Sequence, residues 1–397
     1  MPHTWKSGKH QNKHKTHADL MEPVDNILPH ITPLLSRCNR PLQMTFEDQL
    51  NILVYFHLEE HRSGRHLLQV LKEEHFARQY IAPVDGIEKS SFFEDIGSRG
   101  LEQMMEMFGK LYGKAAKHLP KGHAELGDLV LIDGSLIDAV LSMYWADYRK
   151  GSKKAKVHVG FDLNRGIPKK IFLSDGKEAE RPFVEKILAP GETGVMDRGY
   201  QSHKLFDVWQ TGGKHFICRI KATTEKTILR TSAVQAGSIV FFDAVVLLGT
   251  TAINQTEREV RLVGYRVDGV DYWVATDRHD LTTEQIAFAY KLRWNIEIFF
   301  GWWKRHLKVY HLISRSQYGL MVQMLAGLIT YILLAIYCHD QHHEKVSVKR
   351  LREISINTRN EMSFEDIVNE TGVWCYQPPN QNQSYACLLY TSPSPRD

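Results

Sequence analysis

Apolar residues recur at three- and four-residue spacing in three stretches of the first third of the chain: FEDQLNILVYFHLEEH from Phe46, HLLQVLKEEHF from His66 and LEQMMEMFGKLYGKAAKHL from Leu101. This spacing predicts short helices between Thr45 and Lys117. At Gly127 the period changes. DLVLIDGSLIDAV carries an apolar run that predicts a strand ending at Asp133, and KAKVHVGFDLNRGIPKKIFLSDG predicts two strands turned at Asn164, Arg165 and Gly166. A helix (EAERPFVEKIL), a strand (TGVMDRGY), a second helix (HKLFDVWQTG) and a further strand (KHFICRIK) follow.

A three-strand meander followed by alternating helix and strand is the order of a ribonuclease H-like α/β domain. From Thr223 to Asp277 the pattern is strand-rich again, in SIVFFDAVVLLG, REVRLVGYRVDG and VDYWVATD, so a β-rich segment is expected to interrupt that domain. The domain then resumes with a long helix from Thr283 to Leu307, an apolar helix from Met321 to Cys338 and a last helix from Val346 to Ile356. The apolar helix is nearly long enough to span a bilayer. Gln323 and Thr330 interrupt it and a charged amphipathic helix precedes it, so it reads as a buried core helix and no membrane partner is expected.

Composition and charge narrow the class. A chain of 397 residues exceeds one hydrophobic core, and 43% hydrophobic with 24% charged residues is ordinary for a globular protein. The net charge of +4 selects no partner, but its distribution says more. Lys6, Lys9, Lys13 and Lys15 mark a His-rich stretch suited to lie on DNA phosphates. Arg149, Lys150, Lys153, Lys154 and Lys156 form a dense run that reads equally as a solvated face or a phosphate contact. The five cysteines have no CxxC spacing and no secretory leader is read ahead of them, so a reducing cytoplasm without disulfides or a zinc framework is expected. The tail CLLYTSPSPRD has no helical or strand period and back-translates onto a sequencing adapter, which would place the natural C-terminus outside this chain.

The expected segments are a basic flexible arm (1–20), a helical domain (21–120), the first part of the ribonuclease H-like core (121–222), a β-rich insertion (223–280), the resumed core (281–345), a C-terminal helical segment (346–386) and the appended tail (387–397). The helices of 21–120 read evenly as a DNA-binding domain or as a bundle packed on its neighbour.

The chemistry concentrates in YKLRWNIEIFFGWWKRHLKV, where Tyr290, Arg293, Glu297 and Lys304 are spaced by three, four and seven residues. On one helix these positions fall within an arc of roughly 60°, so a phenol, a guanidinium, a carboxylate and an ammonium share a face. An i,i+4 pair of Arg293 with Glu297 accounts for two of them and leaves Tyr290 and Lys304 unexplained. A carboxylate that holds a cation, flanked by groups that bind phosphate oxygens, accounts for all four. A single carboxylate cannot hold the ions for in-line phosphoryl transfer. Asp133 and Asp197, each behind an apolar run at a strand end, supply two more. Each also reads as a turn former or helix cap, and Asp138 and Asp175 compete, Asp175 in LSDGKE reading as turn chemistry.

The Tyr-x2-Arg-x3-Glu-x6-Lys pattern at 290 to 304 resembles the hallmark motif of bacterial insertion-sequence transposases of family four, and DRGY at 197 to 200, IDGS at 132 to 135 and FICRIK at 216 to 221 resemble that family's other blocks. The resemblance runs from about residue 127 to 335. It implies an α/β, ribonuclease H-like (retroviral-integrase-like) catalytic core with an all-β insertion and an N-terminal helical DNA-binding domain. Carried over residue by residue, it makes Asp133, Asp197 and Glu297 the catalytic carboxylates holding two Mg²⁺ ions, with Mn²⁺ as substitute, and Tyr290, Arg293 and Lys304 the grip on the transposon end. Arg198 and Lys156 are further candidates for phosphate contact, and Trp273 for stacking on a flipped base. The implied reaction is cleavage at the element's terminal inverted repeats, a hairpin intermediate and joining to target DNA. It would run in a homodimer on double-stranded DNA, in the cytoplasm at the bacterial nucleoid.

Three other readings compete. A catalytically inactive, DNA-binding descendant would keep the fold, though all six family residues stand in place. A ribonuclease H-like nuclease or resolvase fits the carboxylates but not Tyr290, Arg293 and Lys304. A zinc site at His339, His342 and His343 lacks a partner at a recognised spacing. Gly-rich nucleotide loops are absent, which argues against an ATP-driven enzyme.

Overall fold

The computed structural model describes residues 15–36, 42–59, 61–235 and 237–360. The expectations for Lys6, Lys9, Lys13, the rest of 1–14 and everything after 360, including the tail 387–397, lie outside the described residues. The first helix, α1 (Lys15–Asp25), takes up the last residues of what was expected to be an aperiodic arm, because Leu20, Met21 and Val24 are buried. Next come α2 (Phe46–Leu58), α3 (Gly64–Glu73), α4 (Lys89–Ser98) and α5 (Leu101–His118). A reciprocal box starts α2: the Thr45 side chain accepts from the Asp48 amide at 3.1 Å, and the Asp48 carboxylate accepts from the Thr45 amide at 3.0 Å. The period did not announce α4, which buries only Phe92, Asp95 and Ile96.

The α/β part opens with β1 (Leu129–Asp138), β2 (Asp147–Arg149), β3 (Ser152–Asp162) and β4 (Ile167–Asp175). It continues with α6 (Arg181–Ile187), β5 (Thr193–Met196), α7 (His203–Thr211) and β6 (His215–Arg219). The long strands lie in the order β4-β3-β1-β5-β6; β1, β3 and β4 are antiparallel, and β5 and β6 run parallel to β1. This is the meander plus alternating units expected of a ribonuclease H-like sheet. One expectation is corrected. β1 does not end at Asp133 but pairs with β3 as far as Asp138↔Lys154, because the antiparallel ladder runs unbroken through GSLID and Ile137 is buried.

Beyond β6 the sheet continues through β7 (Lys226–Thr231), β8 (Val240–Leu248), β9 (Val260–Val267) and β10 (Val270–Thr276), in the spatial order β6-β10-β9-β8-β7, all antiparallel. The strand-rich segment is thus hydrogen-bonded onto the edge of the central sheet. Then follow α8 (Thr283–Lys291), α9 (Trp294–His306), α10 (Gln317–His342) and α11 (Val348–Asn360). The single long helix expected from Thr283 to Leu307 is therefore two. Between them the amides of Arg293, Asn295 and Ile296 bond to carbonyls three residues back, which tightens the turn and re-aims the axis.

Alternation along β1 divides the core. Leu129 and Leu131 join a large apolar cluster with the N-terminal helices and α8 to α11, while Val130 and Ile132 join a second one with α6 and α7. The helix α10 is long and apolar enough to cross a membrane, but it is packed against α1, α2, α4, α5 and β4. Its interrupting polar residues are satisfied inside the core. Gln323 accepts from the Ile313 amide and donates to the His311 carbonyl, each at 2.9 Å, and the Thr330 hydroxyl donates to the Ala326 carbonyl at 2.8 Å.

Buried histidines, His57, His61 and His158 among them, make the fold acid-sensitive. His61 packs against Tyr55 and Phe56, and burial pushes it down to about 3; His158 lies on the Phe183 ring at 3.7 Å, and burial, with Lys156 and Lys186 nearby, pushes it down to about 4. A depressed imidazole pKa contributes stability that is full above about 6.5 and is lost as pH falls towards the folded value. Replacing His158 by Gln, which does not titrate, should therefore shrink the gap between wild type and variant by about 2 kcal/mol from pH 7 to pH 5. Urea unfolding at both pH values measures it, and an unchanged gap would show that the fold leaves the His158 imidazole at its ordinary pKa.

Candidate active site

Asp133 and Asp197 meet because of strand register. The parallel pairing of β1 with β5 places Leu131 beside Val195, so each acid stands two residues beyond a paired position at the same edge of the sheet. Asp133 is mostly buried, and its Oδ1 accepts from the Gly134 amide at 2.8 Å. Burial pushes its carboxyl up to about 7; the Gly134 amide and Arg293 oppose this, and the neighbouring charges of Asp197 and Glu180 add to it. Asp197 follows β5 directly and caps a short turn, its Oδ1 accepting from the Gly199 amide at 2.8 Å. The buried Cys218 thiol donates to the Asp197 carbonyl at 3.4 Å and fixes the backbone from below.

Glu297 reaches this edge because the helix breaks. The tight turn at Leu292 and Arg293 restarts the chain as α9, which packs on β1 with Glu297 in its first turn. Arg293 joins the acids: its Nη2 donates to Glu297 Oε1 at 2.6 Å, and its Nη1 stands 4.0 Å from Asp133 Oδ2. The i,i+4 pair therefore exists but forms one limb of a three-residue bridge. Tyr290 lies in the last turn of α8, buried, with the Arg293 guanidinium 5.9 Å from its ring and Tyr272 at 6.3 Å. Lys304 is half-buried, and its ammonium donates to the Leu136 carbonyl at 2.7 Å, which ties α9 to β1. Lys304→Met should cost roughly 1–3 kcal/mol by leaving that carbonyl short of a donor. Chemical unfolding tests this, and unaltered stability would remove Lys304 from the clamp.

The other candidates are placed as follows. Arg198 is exposed on the turn after Asp197. Lys156 donates to the Glu178 carbonyl at 2.9 Å and lies 3.3 Å from Glu180 Oε1, so its charge is already engaged at the site's edge. Trp273 belongs to an aromatic group on the outer strands, with Phe241 and Phe242 at 5.4 and 5.2 Å and the Lys226 ammonium 4.9 Å over its ring. Asp138 pairs with Lys154 at 2.7 Å, and Asp175 accepts from the Lys177 and Glu178 amides, as turn chemistry requires. Away from the carboxylates, His118 joins His339 and Asp340, with His118 Nε2 2.6 Å from Asp340 Oδ1.

Sequence reasoning missed Glu180 and Tyr200. Glu180 stands just ahead of α6, where an acid reads as a cap, and Tyr200 is buried beneath Glu180, Asp133 and Asp197, whose charges add to burial in raising its phenol. The only sequence signal for Tyr200 was its place in DRGY.

The described arrangement is a set of hard oxygen donors gathered at a sheet edge with a guanidinium among them. Comparison with known proteins gives the family. A family model described as a transposase DDE domain matches residues 125–333. A protein of Geobacillus stearothermophilus named as a transposase for insertion sequence element IS5377 is 27% identical over 208 residues, 51% of this chain and 54% of its own. One of Sinorhizobium fredii named as a transposase is 26% identical over 238 residues, 58% of this chain and 66% of its own. A Synechocystis protein named as a transposase for insertion sequence element IS4SA is 22% identical over 289 residues, covering 70% of this chain and 80% of its own. The chain thus spans between about half and two thirds of the first two relatives.

Proposed function

The chain belongs to the DDE transposases of insertion sequences, by its match across residues 125–333, and on that premise we propose that it cuts the ends of a DNA element and joins them to target DNA by divalent-ion-dependent phosphoryl transfer. The observation that carries this reading is the convergence of Asp133, Asp197 and Glu297 on one edge, with Asp133 forced up to about 7 by burial beside like charge. A half-buried group of carboxylates with one shared guanidinium is short of positive charge, and all-oxygen donors suit Mg²⁺ or Mn²⁺. The three carboxylates would hold the ions, two in the full site, which when bound would activate water for attack and stabilise the leaving 3′ oxygen.

The chain's own groups do the rest. Arg293 orients Glu297 and offers its remaining N–H groups to a phosphate oxygen. Tyr290 backs the guanidinium, and Lys304 fixes the distance of α9 from β1. Trp273, Arg198 and Lys156 remain proposals for contact with flipped base and phosphate, Lys156 only after release from Glu180. The family-four spacing supports a hairpin intermediate formed by the freed 3′-OH. The strands β7 to β10, expected as an all-β insertion at 223–280, and the helices of 21–120 are proposed to track the duplex of the terminal repeats. Two copies, at the nucleoid, would each cut one end.

The test is incubation with duplex DNA carrying the element's terminal repeat, with Mg²⁺ or with chelator, read on denaturing gels. Nicks at the repeat ends with Mg²⁺ alone support the reading. Retention of the DNA without nicking under either condition would favour the DNA-binding descendant.

A further inference from the structure

Glu180 is not one of the three proposed metal-binding carboxylates, and its surroundings are not those of a surface acid. It occupies the position that ordinarily caps a helix, yet it makes no cap hydrogen bond to α6. It lies instead over β1. A Cβ added at Gly134 would stand 2.7 Å from Glu180 Oε1, so a side chain at 134 would have to push the carboxylate aside. Gly134 directly follows Asp133, and the buried Tyr200 phenol is raised by burial and by the nearby charge of Glu180.

Charge at this edge is unbalanced. Asp133, Asp197, Glu297 and Glu180 are four carboxylates, and among the described residues the cations within ion-pair distance of them are two, Arg293 and Lys156. Four negative against two positive charges leaves two in excess, the charge of one divalent ion. Like charges held together away from bulk water are costly unless a cation enters.

We propose that Glu180 is a fourth carboxylate of the divalent-ion site, with Gly134 as the gap that admits it and Lys156 as the cation that competes with the ion for it. The inference rests on the assignment of Asp133, Asp197 and Glu297 to metal binding. It also gives Lys156 a role the sequence did not suggest: it holds the acid in place and sets how strongly an ion must bind to claim it.

The test is Mn²⁺ titrated into the chelator-stripped full chain without DNA, with the free ion followed by electron paramagnetic resonance and folding checked by thermal melting. Glu180→Gln keeps the shape and removes the charge, and should weaken Mn²⁺ binding roughly 10- to 100-fold. Gly134→Ala should weaken it in the same direction by displacing the carboxylate. Lys156→Met should leave it as tight or tighter. These opposite signs separate a metal-site acid from an ordinary ion pair. If Glu180→Gln and Lys156→Met lower the melting temperature alike and neither changes Mn²⁺ affinity, Glu180 is only a salt-bridge partner and the proposal is overturned. Asp133→Asn separates the two layers: if it weakens Mn²⁺ binding while Glu180→Gln does not, the fourth carboxylate alone fails. Wild-type affinity in Asp133→Asn would overturn the site assignment itself, and this inference with it.

Discussion

Glu297→Gln should lower Mg²⁺-dependent cleavage of terminal-repeat DNA by roughly 10³-fold or more, about 4 kcal/mol of barrier, while DNA retention in gel shifts stays near wild type. The amide keeps the volume of the acid and an oxygen that can accept from Arg293 Nη2, which now bonds Glu297 at 2.6 Å, so α9 should hold its place on β1. What disappears is a negative charge on a cation ligand. Glu297→Ala would be a poorer probe, since it frees the guanidinium to close the 4.0 Å gap to Asp133. Cleavage persisting in Glu297→Gln would remove this carboxylate from the site.

Asp133→Asn should abolish cleavage and yet stabilise the metal-free protein by roughly 2–4 kcal/mol at pH 7.5. Burial and the neighbouring acids hold the Asp133 carboxyl at about 7, far above its ordinary 3.8. A folded carboxyl raised in this way retains a proton that the unfolded chain has released, so wild-type stability falls as pH rises from about 4 to 7. The asparagine has no charge to bury. The advantage of the variant in chelator should therefore be small at pH 4 and grow through that window, as measured by urea unfolding at several pH values. An advantage independent of pH, or none, would mean that Asp133 is not held against its charge.

The parts of this site that were legible in the sequence are those carried by local pattern. An apolar run closed by Asp197 read correctly as a buried strand with an acid at its end, and the 290–304 spacing placed a guanidinium beside a carboxylate. The order of elements along the chain, a meander followed by helix, strand, helix and strand, was legible, and with short connections it is compatible with few sheet arrangements, of which β4-β3-β1-β5-β6 is the one formed. The helix break at Leu292 and Arg293 was not legible, because the segment KLRWNIE contains neither Gly nor Pro and every residue suits a helix. The break comes from packing: α8 lies against β5, β6, β8 and β9, whereas α9 lies on β1.

Long-range juxtaposition accounts for the other misses. Glu180 is 46 residues from Gly134 and 24 from Lys156, and nothing local to EAERPF tells that its acid passes over β1 rather than capping α6. The placement of β10 beside β6 is similar, since alternation identifies a strand but not its neighbour. The basic run around Lys156 reads both as a solvated face and as a candidate phosphate contact, because such a run shows charge and not the acid that answers it.

The central claim is that Asp133, Asp197 and Glu297 together hold divalent metal. The most direct measurement loads the metal-free protein with Fe²⁺, starts hydroxyl-radical chemistry with ascorbate and peroxide, and maps the backbone cuts by mass spectrometry. The account predicts cuts clustered around 133, 197 and 297, all suppressed by excess Mg²⁺ and lost in Asp133→Asn. Cuts confined to other segments, such as those around His118 and His339, or a pattern that Mg²⁺ leaves unchanged, would contradict it.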